Sequence, residues 1–250
     1  ELVYAGRTLG NGGPSNPAEV MKQYLLTRSA FGAAVPVHEN RHRLELLRRI
    51  TVPSLAAQTN RDITWIVLTA DDDPLADARR AALVSAGLPL IIGSAAGMTL
   101  RGGSDKPWGP WADHIAWGDL TLTTRLDDDD AIAPWLLAEV RDAAGRANPR
   151  RRAVWSPMDG WRIAGRMAER VHWPIPMFCT LQAPAGDRGT IFDINHLGAA
   201  KLGPVRDLHL PPAWLWIRHR HTRSSFGGTQ LAGWRKKPGP IGDTLRAAFP

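Results

Sequence analysis

The chain has 250 residues, 44% of them hydrophobic, enough to bury a sizeable core as one domain with appendages. Its 31 Lys and Arg against 24 Asp and Glu leave a formal charge of +7, which favours acidic partners such as nucleic acid, phosphorylated glycan, anionic lipid or nucleotide. No apolar run is long enough to cross a membrane, no secretory signal layout opens the chain, and Cys179 has no partner for a disulfide; a soluble, cytoplasmic protein is expected.

The opening residues, "ELVYAGRTLGNGGPSNPAEV", are rich in Gly, Pro and Asn and predict a tail over residues 1–22. "KQYLLTR" then reads as a short buried strand ending at Thr27. In "NRHRLELLRRITVPSLAAQ" the apolar Leu44, Leu47, Ile50 and Leu55 recur near helical spacing, with a kink or break expected at Pro53. "DITWIVLTA" is the next strand and runs into "DDDP". "PLADARRAALVSAG" is a helix closed by Gly87, and "LPLIIG" a third strand.

After a Gly-rich stretch over 93–110, a short helix is expected over Trp111–Trp117, followed by the strand "LTLTTRL". "IAPWLLAEVRDAAGRA" is an amphipathic helix with Pro134 in its first turn, where a missing N–H is tolerated. Strand and helix alternate throughout this half, which predicts a mostly parallel sheet with helices on both faces. Beyond about residue 150 the pattern becomes irregular: "RAVWSPMDGW", "RMAERVHWP" and "RGTIFDIN" are strand-like pieces between Pro and Gly. Residues 227–250 read as an exposed tail.

Two strands end in acids: Asp71–Asp73 after "WIVLTA", and Asp127–Asp130 after "LTTRL". In an open α/β sheet, ligands bind beyond the carboxyl ends of the strands. Four adjacent carboxylates repel one another, so a cation or cationic neighbours must offset them. Alternate side chains of an extended chain share a face, so Asp127 and Asp129 can point the same way and offer hard oxygens to Mg²⁺ or Mn²⁺. Arg125 is placed to pair with one of them or to reach a phosphate. A helix N-cap explains one or two of the acids, Asp130 above all, but not four.

The segment "TTRLDDDDAI" resembles the strand-end "RLDxDD" of the rhamnosyltransferase-like glycosyltransferases, within the GT-A nucleotide-sugar transferases. "HENRHRLELLRRITVPSLAAQTNRDITWIVLTADDDP", "YLLTRSAF" and "PAWLWIRHRHTRS" are similar to further segments of that family, so the likeness touches residues from about 23 to 222 in order. It implies a GT-A-like domain over 23–226 that transfers a sugar from a nucleotide-diphosphate sugar to an acceptor hydroxyl, with Mn²⁺ or Mg²⁺ as cofactor.

By the same resemblance Asp127 and Asp129 are the metal-binding acids, with Asp130 and His219 as further ligands. Thr27, Arg28, Asp71, Arg125, Asp127 and Asp128 would meet the donor nucleotide. The family's acid near "FCTLQAP" is replaced here by Gln182, which leaves Asp159, Asp187 and Asp193 as candidates for the base, Asp159 and Asp193 foremost. Arg220 and Arg223, beside His219 in "IRHRHTRSS", are expected to receive an acidic acceptor. A nucleotidyl- or phosphotransferase also sets paired acids beside nucleotide phosphate, and a basic nucleic-acid-binding protein is the rival from another class.

Overall fold

The structure, a computed structural model, describes residues 21–29, 35–95, 109–164, 167–193, 196–217 and 239–240. Strand β1 (Met21–Arg28) leads through helix α1 (Val37–Leu46), a π-helical turn (Leu47–Thr51) and the short α2 (Val52–Ala56) to β2 (Thr64–Thr69). Next come α3 (Ala76–Val84), β3 (Leu90–Ser94), the single turn α4 (Gly109–Ala112), β4 (Leu120–Arg125), the two-residue β5 (Ala131–Ile132) and α5 (Leu136–Arg146). The second half carries β6 (Ala153–Ser156), β7 (Asp159–Ala164), β8 (Met167–His172), β9 (Thr180–Pro184), a 3-10 helix (His196–Lys201), β10 (Val205–Asp207), β11 (Trp214–Ile217) and β12 (Gly239–Pro240).

Seven strands form the main sheet in the order β10-β6-β9-β4-β1-β2-β3. Its β4-β1-β2-β3 part is parallel throughout, and β9 runs antiparallel between β4 and β6. Parallel strands covered on both sides read as unbroken apolar runs, which is what "YLL" and "WIVL" are. Their side chains alternate. Leu25, Trp65, Val67 and Leu122 join one core cluster, and Tyr24, Leu26, Ile66 and Leu68 the other.

The two faces are covered unequally. Residues of α1, α2, α3 and α5, such as Leu44, Leu55, Leu83 and Val140, pack on the first cluster. The second is closed by Trp111, Ile115, Phe192, Ala199 and Leu202, from short turns and loops.

Several local expectations are refined. The helix holding Pro53 widens into the π-turn just before it. Proline lacks the N–H of the normal helical bond and its ring crowds the carbonyl four residues back, so a wider turn relieves the clash. Helix α3 ends at Val84, and the turn that closes it runs to Gly87, whose N–H donates to the Val84 carbonyl and whose φ of 65° suits a residue without Cβ. Pro134 precedes α5 rather than sitting in its first turn, and its carbonyl accepts the Thr59 N–H at 2.8 Å.

The helix expected over 111–117 stops at Ala112, because both backbone groups of Ala116 are taken by the Tyr24 hydroxyl at 2.9 and 3.0 Å. "RAVWSPMDGW" divides at Pro157–Met158 into β6 and β7, which belong to different sheets. "RGTIFDIN" forms no strand among its described residues. Asp193 turns back to accept the Thr190 N–H at 3.0 Å and its hydroxyl at 2.8 Å, holding a tight turn instead.

The second sheet, in the order β12-β8-β7-β11-β5, begins from the acidic segment itself, since β5 follows Asp130 directly and pairs with β11. The backbone of Gly239–Pro240 pairs with β8 at its edge. A Cβ at Gly160 would collide with the Trp214 indole, so β7 can pass over that ring only with glycine there. No helix among the described residues is long and apolar enough to cross a membrane.

Candidate functional site

The parallel strands β1, β2 and β4 deliver Arg28, the Asp71–Asp73 turn and the Asp127–Asp130 turn to one end of the sheet, as the register pairs Arg28 with Leu68 and Leu26 with Arg125. The residue after β1, Ser29, is fully buried and its N–H donates to the Leu68 carbonyl at 2.9 Å.

The four aspartates part company there. Asp128 is fully buried. One of its oxygens accepts Ser29 Oγ–H at 2.7 Å, and the other is paired with Arg43 Nη2. Asp129 keeps 11% of its side chain exposed and faces Arg43 Nη1 at 3.3 Å. Asp127, 25% exposed, is gripped by Arg125 through Nε at 3.2 Å and Nη2 at 3.1 Å. Asp130 is buried, and its Oδ1 accepts the N–H of Ile217 in β11 at 2.9 Å.

Their acidities follow. Burial raises the Asp127 pKa, but Arg125, Arg28 and Arg43 more than offset it and leave the group below its ordinary value. Burial and then the charges of Asp129 and Asp127 push Asp130 well above it. Burial works against the charge of Arg43, yet Asp128 and Asp129 hold it protonated. Burial lowers the Arg28 pKa, and the Asp127 charge opposes the shift.

Arginines are therefore the cations that make the acidic run tolerable. A further one is Arg79 of α3, with 1% of its side chain exposed. Its Nε donates to Asp73 Oδ2 at 2.8 Å, its Nη1 to Ser29 Oγ at 3.1 Å, and Asp128 Oδ2 lies 3.9 Å from the same nitrogen. Sequence reasoning passed over Ser29, Arg43 and Arg79, though a signal was present. Arg79 shares its helix face with Ala82 and Leu83, and Arg43 shares one with Asn40, Leu44 and Leu47, so each is a lone charge on a buried stripe.

The remaining predicted residues divide. Asp71 is exposed at the end of β2. Thr27 is fully buried and its hydroxyl accepts Trp65 Nε1–H at 2.9 Å, so it faces the helix-covered core. Asp159 opens β7, 3.4 Å from His172 Nδ1. The register sets Ile163, four residues further along β7, beside Ile217 and hence beside Asp130. At roughly 3.3 Å per residue that puts the Asp159 backbone about 13 Å further along the strand.

Asp187 is paired with Arg152 at 2.8 Å. Asp193 lies in the Thr190 turn near the same arginine, where partial burial raises its pKa against those two hydrogen bonds. His219, Arg220 and Arg223 lie outside the described residues.

Gln182 proves to be a core residue. Its Oε1 accepts Trp155 Nε1–H at 2.9 Å, and its Nε2 donates to the carbonyls of Asn148 and Arg151 at 3.0 and 2.9 Å. The glutamine ties the end of α5 to mid-sheet, two residues below the strand end where β9 meets Thr124.

As for a metal, carboxylate oxygen is the donor a hard divalent cation takes, and Asp127 and Asp129 are the two acids of the run with the more exposed side chains. Among the described residues no three Asp, Glu, His or Cys side chains form a metal-binding group. The protein's contribution there fits two carboxylates, with water and ligand oxygens to complete the shell.

No curated protein matches the chain. Among solved structures, the S. aureus TarS fragment 1-349 in complex with UDP aligns at a TM-score of 0.50 with 11% identity, over 79% of this chain and 60% of that one. A longer S. aureus TarS structure aligns at 0.46 with 15% identity, over 79% and 37%. Mouse xyloside xylosyltransferase 1 in its apo form aligns at 0.36 with 11% identity, over 56% and 54%. The chain thus spans about 60% of the TarS fragment it matches, and the likeness shows a shared GT-A-like fold. A family model described as "Putative rhamnosyl transferase" matches residues 38–228, well over half of the chain, and the protein belongs to that family.

Proposed function

We propose that the protein is a metal-dependent glycosyltransferase that moves a sugar from a nucleotide-diphosphate sugar to an acceptor hydroxyl. Family membership supports the reaction class, and the UDP of the TarS complex supports a nucleoside diphosphate as the leaving group. The observation that carries the reading is the pair Asp127 and Asp129 at the carboxyl end of β4, the two carboxylates of the run whose side chains keep some access to solvent, 25% and 11%. Behind them Asp128 and Asp130 are fully engaged with the protein.

Asp127 and Asp129 are the residues that would hold Mn²⁺ or Mg²⁺, which when bound supplies positive charge against the departing diphosphate. Arg28 and Arg125 add fixed cationic charge at the same end of the sheet, where negative charge develops as the sugar–phosphate bond breaks. Asp71, exposed at the end of β2, is suited to the ribose or base. His219 comes two residues after Ile217, the residue tied to Asp130, which supports a part for it in neutralising the diphosphate. Arg220 and Arg223 follow it and suit an acidic acceptor.

An inverting reaction also needs a carboxylate to take the acceptor proton. Asp193 is one candidate, its carboxyl held by Thr190 and raised in pKa by partial burial. Asp159 is the alternative at the head of β7.

The test is thermal shift with UDP, GDP and dTDP and with their sugars, in Mn²⁺, in Mg²⁺ and in EDTA. One nucleoside diphosphate is expected to stabilise the fold, read as a raised Tm, only with metal present; at a hundredfold excess over Kd the stabilisation is about 2.7 kcal/mol. Equal shifts in EDTA would remove the metal from the mechanism, and no shift with any nucleotide would remove the donor.

A further inference from the structure

The geometry points to Arg79 as the positioning residue of the metal-binding turn, an inference that rests on the function proposed above. Asp73, Arg79, Ser29, Asp128 and Arg43 form a continuous buried chain from the end of β2, across β1, to the turn after β4 and back to α1. Its links are 2.8 Å from Asp73 to Arg79, 3.1 Å from Arg79 to Ser29 and 2.7 Å from Ser29 to Asp128, and it closes on the Arg43 pair. Asp73 is itself fixed, its Oδ1 accepting the Leu75 N–H at 3.0 Å. Three acid- or arginine-bearing segments, distant in sequence, are thereby locked to one another at the end of the sheet.

Stability does not account for this arrangement. A guanidinium almost wholly removed from water is expensive to desolvate, and Nη2 of Arg79 is buried with no hydrogen-bond partner among the described residues. Apolar side chains of similar volume in place of Arg79 and Asp73 together would fill the same space without that loss. What Arg79 adds is direction. It holds the Ser29 hydroxyl so that its proton points at Asp128 Oδ2, and Asp128 is the hinge of the turn whose outer members are Asp127 and Asp129.

With Asp128 pinned inward, the carbonyl of Asp127 accepts the Asp130 N–H at 3.3 Å, and the turn presents its outer carboxylates as a fixed pair. Without the pin, four like charges are free to spread apart. Arg79 touches neither of the outer acids in this structure, so its action is through Ser29 and Asp128.

The experiment compares wild type, Arg79→Met, Arg79→Lys and Ser29→Ala. Tm is recorded for each, and titration calorimetry follows Mn²⁺ alone, UDP alone and UDP with Mn²⁺. Arg79→Met is expected to fold with a lower Tm, because Asp73 loses its buried partner, to bind Mn²⁺ and the UDP–Mn²⁺ combination at least tenfold more weakly, and to leave the titration with UDP alone as in wild type. Ser29→Ala should move the same measurements in the same direction by a smaller factor. Arg79→Lys, which keeps the charge but cannot bridge Asp73 and Ser29 together, should recover only part of the loss.

A purely structural arginine would change Tm and leave the metal affinity of the folded fraction as in wild type, and that result overturns the inference. If Arg79→Met does not fold, Ser29→Ala decides, and wild-type Mn²⁺ affinity in that variant overturns the inference as well. Failure of the wild-type chain to bind Mn²⁺ alone or together with any of UDP, GDP and dTDP overturns the functional reading and this inference with it, an outcome distinct from equal binding by all four proteins.

Discussion

The two acidic strand ends, Asp71–Asp73 after β2 and Asp127–Asp130 after β4, are alike in composition and held in different ways. At the first, one acid is buried against Arg79 while Asp71 and Asp72 are exposed. At the second, Asp128, Asp129 and Asp130 are buried and Asp127 is partly exposed, and the two outermost side chains, Asp127 and Asp129, each face an arginine. An exposed carboxylate costs the fold almost nothing, whereas a run held half-buried needs fixed counter-charges. The difference teaches where to look for chemistry: the second end spends three arginines on keeping carboxylates in place, and the first spends one.

That contrast breaks most sharply in catalysis. Asp127→Asn and Asp129→Asn are each expected to lower kcat/KM by roughly 10²–10³-fold or more while circular dichroism stays native, because metal-held charge at a leaving group is worth several kcal/mol. Near-normal, metal-dependent turnover in either variant would move the centre elsewhere.

Stability distinguishes the inner acids next. Asp128→Ala removes the fully buried partner of Arg43, the acceptor of the Ser29 hydroxyl and a carboxylate near Arg79, and should cost about 3–5 kcal/mol, read by denaturant unfolding. Asp73→Ala removes a single arginine partner, so its loss should be the smaller of the two. A larger loss at Asp73 would reverse the order of the two strand ends.

A weaker effect separates the outer residues of the two ends. Arg28→Ala and Asp71→Ala are expected to raise the donor KM severalfold with a modest change in kcat, since both stand where the nucleotide rather than the reacting carbon should lie. A pure kcat loss would place them at the reaction centre.

The smallest change is at Asp130. Its pKa is raised in the folded state, first by burial and then by Asp129 and Asp127, so its charged form is the destabilised one. The stability it contributes is complete below the ordinary carboxylate pKa and is lost as pH rises through the raised value. Asp130→Asn keeps an acceptor for the Ile217 N–H and carries no charge. It should gain Tm at neutral pH, with the gain fading as pH falls toward 4. A gain independent of pH would show that Asp130 is not the titrating group.

Much of the parallel half was legible because it rests on local pattern. Apolar runs of strand length, helices closed by Gly87 and a strand ending in acids are all written in neighbouring residues. The second half was less so. Strand β9 inserts antiparallel between β4 and β6, and the Pro157–Met158 step passes the chain from one sheet to another, both choices made by distant partners. The site was half legible. The acids announced themselves, but their counter-ions sit in helices, where Arg43 reads as one more charge on a basic face and Arg79 as half of an Arg–Arg pair.

By itself, the sequence determined the alternating strands and helices, the acidic end of β4 and the family to which the chain belongs, since periodicity and short ordered motifs survive in one dimension. Only the tertiary structure decided which aspartates face inward, that Gln182 is a mid-sheet tie, and that Thr27 serves the core. Burial and ion pairing are set by which segments meet at the end of a sheet. In this chain those segments lie up to 99 residues apart, as Ser29 and Asp128 do.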